Sequence, residues 1–439
     1  MAQPNAGKLC DMDFLDELRT RDLLHHDVDP ELAEHLATGR RTVYCGFDPT
    51  SDSLHLGNML QICNLKRWLA AGHRPIALSG GATGMIGDPS GKSAERNLLS
   101  IDELAHNTSA IAKQLASLLE IDLVPLDKLD ANPDARGIMA NNFDWTGAVG
   151  YLEFLRDVGK HFTVNQMIAK DTVRNRLETA ESSISYTEFS YMLLQAFDFQ
   201  WLFDAADCTI QLGGSDQWGN IVEGVSLIRK TRNAKSFAVV SPLITKSDGS
   251  KFGKSESGAL FLDAKRTSPY TLHQFLLNVE DDKAVAYLHA FSFLSLEEIE
   301  ALAAKHAAHP ERRDVHNALA DELVTMIHGE RETEKVKKAA KAFFSTEIHS
   351  LDEETLLAAI NDVPTVKAAP GALVMDIGPQ LFDKSKSQFT QAIQQGGIYL
   401  NNEKVHSTTA VLERTNTLHE RYAVLRWGKK DVRVVVLDG

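Results

Sequence analysis

The chain has 439 residues, 43% hydrophobic and 24% charged, with a net charge of −14. That length is too great for one core and predicts two to four domains of ordinary globular composition. No apolar run approaches the roughly 18 residues of a membrane span, and Met1-Ala2-Gln3-Pro4-Asn5 has neither the basic nor the apolar region of an export leader.

Up to about residue 240, short apolar runs alternate with helical patterns. Segments 42–47, 75–79 and 209–213 read as buried strands; 56–71, 101–119 and 185–203 carry apolar residues at helical spacing. Strands separated by helices predict an α/β domain with a parallel sheet. Ligands of such sheets sit beyond the carboxyl ends of the strands, here 48–58, 80–88 and 213–220. From Ser268-Pro269-Tyr270 onward strand signals stop, and 271–278, 283–290, 295–308, 312–328 and 330–344 read as helices. The stretch 346–371 is mixed, ends in Ala368-Ala369-Pro370-Gly371, and reads as a connector. The tail begins with helical patterns and Gly396-Gly397. Strand candidates follow at 398–405, 422–427 and 432–437, the last two separated by Gly428-Lys429-Lys430. The expected organisation is therefore 1–265, 266–345, a linker at 346–371, and 372–439.

Charge is unevenly spread. Residues 372–439 hold nine Lys/Arg against seven Asp/Glu, a balance of +2, so the remainder carries −16. Basic clusters stand at Arg312-Arg313, at Lys335 with Lys337-Lys338 and Lys341, and at Lys429-Lys430 near Arg426 and Arg433. Each alone fits a solvated face as well as an RNA contact. Cys10, Cys45, Cys63 and Cys208 lack C-x-x-C spacing, so neither a metal site nor a disulfide framework is expected, and a reducing cytoplasm is the simplest home.

Two short motifs carry the chemistry: His55-Leu56-Gly57-Asn58, after the strand 42–47, and Lys251-Phe252-Gly253-Lys254-Ser255, in a Gly/Ser/Lys-rich loop. Neither is specific alone; with 16 His and 28 Gly, one His-x-Gly is expected by chance. The glycine-rich run 80–93 satisfies neither the Walker pattern nor G-x-G-x-x-G, yet its glycines allow backbone to approach a ligand. Activating a carboxylate with ATP requires holding the reactants in line and neutralising charge on the departing pyrophosphate. A histidine at a helix start and two lysines on a glycine-containing loop suit that task.

The pair of motifs, in this order, resembles the ATP-handling signatures of class I aminoacyl-tRNA synthetases. The blocks 44–58, 80–96, 186–198, 211–220 and 251–255, with Gly159-Lys160-His161-Phe162 and Ser268-Pro269-Tyr270, resemble the bacterial tyrosyl-tRNA synthetase family over nearly the whole chain. The resemblance implies a Rossmann-like catalytic domain, a helical anticodon-binding domain and a small α+β S4 RNA-binding domain. It implies tyrosine, ATP with Mg2+, and tRNA(Tyr) as substrates, a cytoplasmic homodimer, and no resident metal or organic cofactor.

Tyr44 and Asp198 would then hydrogen-bond the phenol, and Tyr191, Gln195 and Asp88 the α-ammonium group. Cys45, Asp216 and Gln217 would meet the ribose or reacting carboxylate, with Gly46, Asp48, Gly57, Asn58 and Ser255 beside the nucleotide. His55 would donate to phosphate or ribose, and Thr50, Lys92, Arg96, Lys251 and Lys254 would surround the pyrophosphate. Tyr191, Gln195 and Asp198 are spaced four and then three apart, which places them on one helix face. The family's first motif usually ends in His where this chain has Asn58. A tryptophanyl relative is the nearest enzyme alternative, and the Tyr44/Asp198 pair speaks against it. A catalytically silent RNA-binding protein is another, and His55, Lys251 and Lys254 speak against that.

Overall fold

The computed structural model describes residues 13–26, 28–90, 99–178, 184–255, 258–343, 345–360, 363–428 and 431–438. The chain forms two compact units: Met1–Leu262 with Glu280–Val315, and Asp263–Val279 with His316–Gly439. The helical run 266–345 is thus shared, its middle belonging to the first unit.

The first unit is built on six parallel strands: β1 (Thr42–Phe47), β2 (Arg74–Ser79), β3 (Leu123–Pro125), β4 (Gly137–Asn141), β5 (Cys208–Gly214) and β6 (Phe237–Ser241), in the order β3-β4-β2-β1-β5-β6. The crossover helices are α1 (Met59–Ala70), α2 (Ile101–Leu119), α3 (Tyr186–Ala206) and α4 (Trp218–Arg232). β1, β2 and β5 are buried nearly throughout, as strands covered on both faces must be, and this is why they read as continuous apolar runs. β3, β4 and β6 are only three to five residues long, and the sequence reading passed over them. Local chemistry fixes the helix starts: Ser100 with Glu103 and Ser185 with Glu188 form capping boxes at α2 and α3. Chain order reverses at β1, with β2 on one side and β5 on the other, and that crevice is where an open parallel sheet takes its ligand.

After β6 comes a two-stranded hairpin, β7 (Lys254–Ser255) with β8 (Gly258–Ala259). Helices follow: α5 (Pro269–Leu277) in the second unit; α6 (Asp281–Phe291) and α7 (Leu296–Ala308) in the first; then α8 (Asp314–His328), α9 (Glu330–Phe343) and α10 (Glu353–Ile360). The second unit ends in a five-stranded sheet of β9 (Thr365–Ala368), β10 (Ile398–Leu400), β11 (Glu403–Lys404), β12 (Tyr422–Trp427) and β13 (Asp431–Leu437), ordered β11-β10-β12-β13-β9. Alternation along β12 serves two cores. Tyr422 and Val424 pack with Val336, Leu356 and Ile360, whereas Ala423 and Leu425 pack with Phe389 and Ile393. The stretch read as a connector therefore contributes α10 to a core and β9 to the sheet. Four residues are too few for alternation to be read, and β9 pairs with the last strand of the chain, far away in sequence.

Among the described residues no helix is long and apolar enough to cross a membrane. Cys45, Cys63 and Cys208 are buried and form no disulfide. Cys10, Lys92, Arg96, Lys429 and Lys430 lie outside the described residues.

Candidate active site

A cavity of about 470 Å3 opens over the carboxyl ends of β1, β2, β5 and β6 in the first unit. Its inner end is a network of buried polar groups. Asp198, on α3, is 3% exposed; its Oδ1 accepts from Trp145 Nε1 at 2.8 Å and its Oδ2 from Asn142 Nδ2 at 2.9 Å. Burial raises this carboxyl to about 7 against the two donors, which favour the ionised form, and the nearby Asp48 charge adds to the rise. Asn142 also donates to Thr83 Oγ1 at 3.0 Å and accepts from the Ala82 N–H at 2.7 Å. Thr83 in turn donates to Asp48 Oδ1 at 2.8 Å, and the Tyr191 hydroxyl to Asp48 Oδ2 at 3.0 Å. Gly80 makes this approach possible: a Cβ there would lie 2.3 Å from Asp48 Oδ1.

Three polar atoms around this end have no partner among the described residues: the Tyr44 hydroxyl, Gln195 Oε1 and Gln211 Oε1. Tyr44 and Gln211 are each 2% exposed, so bulk water does not satisfy them in place of protein. Burial and then the Asp198 charge hold the Tyr44 hydroxyl firmly protonated. A ligand with its own hydroxyl and amine is the chemistry such a cradle lacks.

Asp88 and Gln217 close the middle of the cavity: Asp88 Oδ1 accepts from the Ser90 N–H at 2.9 Å and Oδ2 from Gln217 Nε2 at 2.6 Å. Asp216, beside them at the end of β5, has its carboxyl raised by burial and by Asp88, with Lys251 opposing.

The two sequence motifs meet at the outer end. His55 precedes the 3-10 turn Leu56–Asn58 that leads into α1, and its N–H donates to Asn58 Oδ1 at 3.0 Å. The hairpin of the second motif lies alongside: Leu56 N–H donates to Leu260 O at 2.8 Å, and Leu262 N–H to Leu54 O at 2.8 Å. Gly253 has φ +83°, and a Cβ there would come 3.0 Å from the Gly57 nitrogen, so only glycine lets the loop rest on the first motif. Burial lowers the His55 imidazole, and Lys254 and Lys251 push it down further, which keeps it neutral. Both lysines line the cavity with exposed side chains.

Of the residues expected at the site, Tyr44, Cys45, Gly46, Asp48, Thr50, His55, Gly57 and Asn58 line this cavity from the β1 side. Asp88, Tyr191, Gln195, Asp198, Asp216, Gln217, Lys251 and Lys254 line it from the others. Ser255 pairs with Gly258 in the hairpin. The sequence reading did not single out Thr83, Asn142, Trp145 or Gln211. Gln211 left a signal, a polar residue inside the apolar strand 208–214. Asn142 and Trp145 left none, since only folding brings them to Asp198.

A parallel-sheet crevice with these two juxtaposed motifs defines a nucleotide-using enzyme of the class I synthetase type. The family model described as tRNA synthetases class I (W and Y) matches residues 36–345, and that of the Tyrosine--tRNA ligase SYY-like C-terminal domain matches 356–435. The Tyrosine--tRNA ligase of Bacillus caldotenax is 45% identical over 423 residues, covering 95% of this chain and 98% of that protein. That of Opitutus terrae is 45% identical over 433 residues, covering 97% and 99%. The C-terminally truncated mitochondrial tyrosyl-tRNA synthetase of Aspergillus nidulans superposes with a TM-score of 0.64 at 32% identity, covering 75% of this chain and 93% of that one. The chain belongs to the class I aminoacyl-tRNA synthetases, in their tyrosine--tRNA ligase branch.

Proposed function

We propose that the cavity binds L-tyrosine at its inner end and ATP at its outer end, and that the enzyme forms tyrosyl-adenylate before charging tRNA(Tyr). The carrying observation is the pair Tyr44 and Asp198: a buried hydroxyl without a partner near a carboxylate that two donors hold in place. Such a pair suits a phenol and leaves polar groups unpaired when phenylalanine enters.

A carboxylate oxygen of tyrosine attacks the α-phosphorus of ATP, the bond to the bridging oxygen breaks, and pyrophosphate leaves. A 3′-terminal ribose hydroxyl of tRNA then attacks the activated carbonyl and AMP departs. No strong protein base is needed for the first step. Tyr191, Gln195 and Asp88 hold the ammonium group. Cys45, Asp216 and Gln217 meet the ribose and reacting carboxylate, with Gly46, Asp48, Gly57 and Asn58 lining the nucleotide. His55, Thr50, Lys251 and Lys254, with Lys92 and Arg96, face the phosphates, and Mg2+ enters with ATP. The lysines gain most as charge grows on the leaving group.

The catalytic region is followed by an anticodon-binding region and by an S4-like region that takes in β9 as well as 372–439, and the basic clusters of the last two serve tRNA. The enzyme works in the cytoplasm as a homodimer. Support for the dimer comes from Tyr151 and Leu152 on helix Tyr151–Asp157, 65% and 78% exposed, with Val164 and Ile168 also exposed nearby in sequence. Leu152→Asp is expected to yield monomers in sedimentation.

ATP–pyrophosphate exchange with each of the twenty amino acids, without tRNA, tests the activity. Exchange with tyrosine alone is expected. Exchange with tryptophan instead, or with no amino acid, overturns the assignment of the inner end.

A further inference from the structure

The second motif's loop is fastened along one helix, and the end of that helix is gripped by a buried cation no proposed role uses. Phe252, between the two lysines, lies 4.6 Å from the Tyr287 ring and 5.3 Å from that of Phe291, both on α6. Tyr287 donates to Thr245 O at 3.0 Å, and Ser247 Oγ to both oxygens of Asp282 at 2.8 and 2.9 Å. The loop from 245 to 252 therefore rides on α6 from its first turn to its last. Where α6 ends, its final carbonyls lack helical partners. Arg67 Nη2 supplies donors to His289 O at 3.2 Å, Ala290 O at 2.9 Å and Ser292 O at 3.0 Å. Arg21 adds Nη2 to Leu294 O at 2.7 Å. Arg67 is 5% exposed; burial lowers its guanidinium to about 10, which leaves it charged at neutral pH. A cation at a helix C-terminus is favoured by the helix dipole as well as by these bonds. Arg67 itself stands on α1, the helix that the first motif opens.

We infer that Arg67 is a positioning residue for adenylation. By clamping the end of α6 to α1 it fixes Phe252, and with it Lys251 and Lys254, against the first motif. Each link is a named contact: α1 through Arg67 to the α6 carbonyls, then Phe291 and Tyr287, then Phe252. The inference rests on the role proposed above for the two lysines. Reaction rates respond steeply to small displacements of such groups, whereas tyrosine, held at the inner end, is out of this relay's reach.

The test is a double-mutant cycle in single-turnover adenylate formation, with tyrosine affinity measured in parallel. Arg67→Met is expected to slow adenylation about tenfold while leaving the tyrosine dissociation constant within about twofold. Arg67→Lys, whose ammonium can still donate to the carbonyls, should recover part of the rate. In a Lys254→Ala background the added loss from Arg67→Met should shrink to about twofold or less, because the group it positions is gone. Full additivity alongside a strong Lys254→Ala effect overturns the relay and leaves the lysine's role standing. No effect of Lys254→Ala alone overturns both. Equal losses in rate and tyrosine affinity reduce Arg67 to a structural residue and also overturn the inference. If Arg67→Met does not fold, Phe252→Leu breaks the relay at its loop end and must show the same split between rate and affinity.

Discussion

Replacing Tyr44 by Phe removes one oxygen, and the structure requires that stability and binding respond in opposite directions. The hydroxyl is buried with no partner among the described residues, so the free enzyme bears a desolvation penalty of about 1–3 kcal/mol for it. Removing it leaves a ring of nearly the same shape against Phe199, 5.4 Å away between centroids. Folding should therefore strengthen by about 1 kcal/mol, raising Tm by roughly 1–2 °C for a unit of this size. In the proposed tyrosine complex the same hydroxyl gains the phenol as partner. That neutral hydrogen bond contributes about 0.5–1.5 kcal/mol, so its loss weakens tyrosine binding between about 2- and 10-fold.

The phenol lies far along the substrate from the reacting carboxylate and feels the same contact in ground and transition states. The loss should appear in KM for tyrosine, with kcat unchanged. Phenylalanine never makes the bond, so discrimination between the two amino acids should fall by the same factor. Thermal denaturation and ATP–pyrophosphate exchange with both amino acids measure all three quantities. A lower Tm together with an unchanged KM would refute the reasoning, because it would mean that the hydroxyl is satisfied within the free protein and does not face the substrate.

Asp198 has its carboxyl raised to about 7, so in the free enzyme it gains a proton as pH falls through that value, and a protonated carboxyl accepts a phenolic hydrogen poorly. Tyrosine binding measured from pH 8.5 down to 5.5 should weaken progressively below about 7, and Asp198→Asn should flatten the profile. The same shift makes folding less favourable as pH rises from the ordinary carboxylate range toward 7, since the folded state binds the extra proton there. Lys254→Ala is expected to lower the adenylation rate by about 10-fold or more with little change in tyrosine KM; equal loss in both would assign the loop a binding role. Asn58→His should preserve activity and shift the KM for ATP, the imidazole accepting from the His55 N–H where Asn58 Oδ1 now does; unchanged kinetics would remove any tuning role for this position. Gly80→Ala should depress kcat/KM for tyrosine by about 10-fold or more, as its Cβ would displace the Asp48 carboxylate that Tyr191 and Thr83 share.

Whatever depends on neighbours in sequence was legible in the chain. The apolar run 42–47 announced β1, and apolar residues at helical spacing over 101–119 and 185–203 announced α2 and α3. The pattern Tyr191, Gln195 and Asp198 declared a helix face before there was a cavity for it to face. What escaped notice depends on contacts the chain makes late and over long separations. Asn142 sits in a turn after a short strand, and nothing around it says that its amide joins Asp198, 56 residues later, to Thr83, 59 residues earlier. Phe252 reads as an odd apolar residue in a polar loop until α6 is placed beneath it. Both are buried groups inside otherwise exposed or polar segments, and both are needed because a reactive group must be held from behind as well as aimed from in front. The residues that line the cavity were therefore readable from their chemistry and spacing, whereas those that hold them emerged only with the fold. Arg67, a basic residue in the last turn of an ordinary amphipathic helix, belongs to the second kind: its charge suggests solvent, and only the orphaned carbonyls of α6 explain why it is buried.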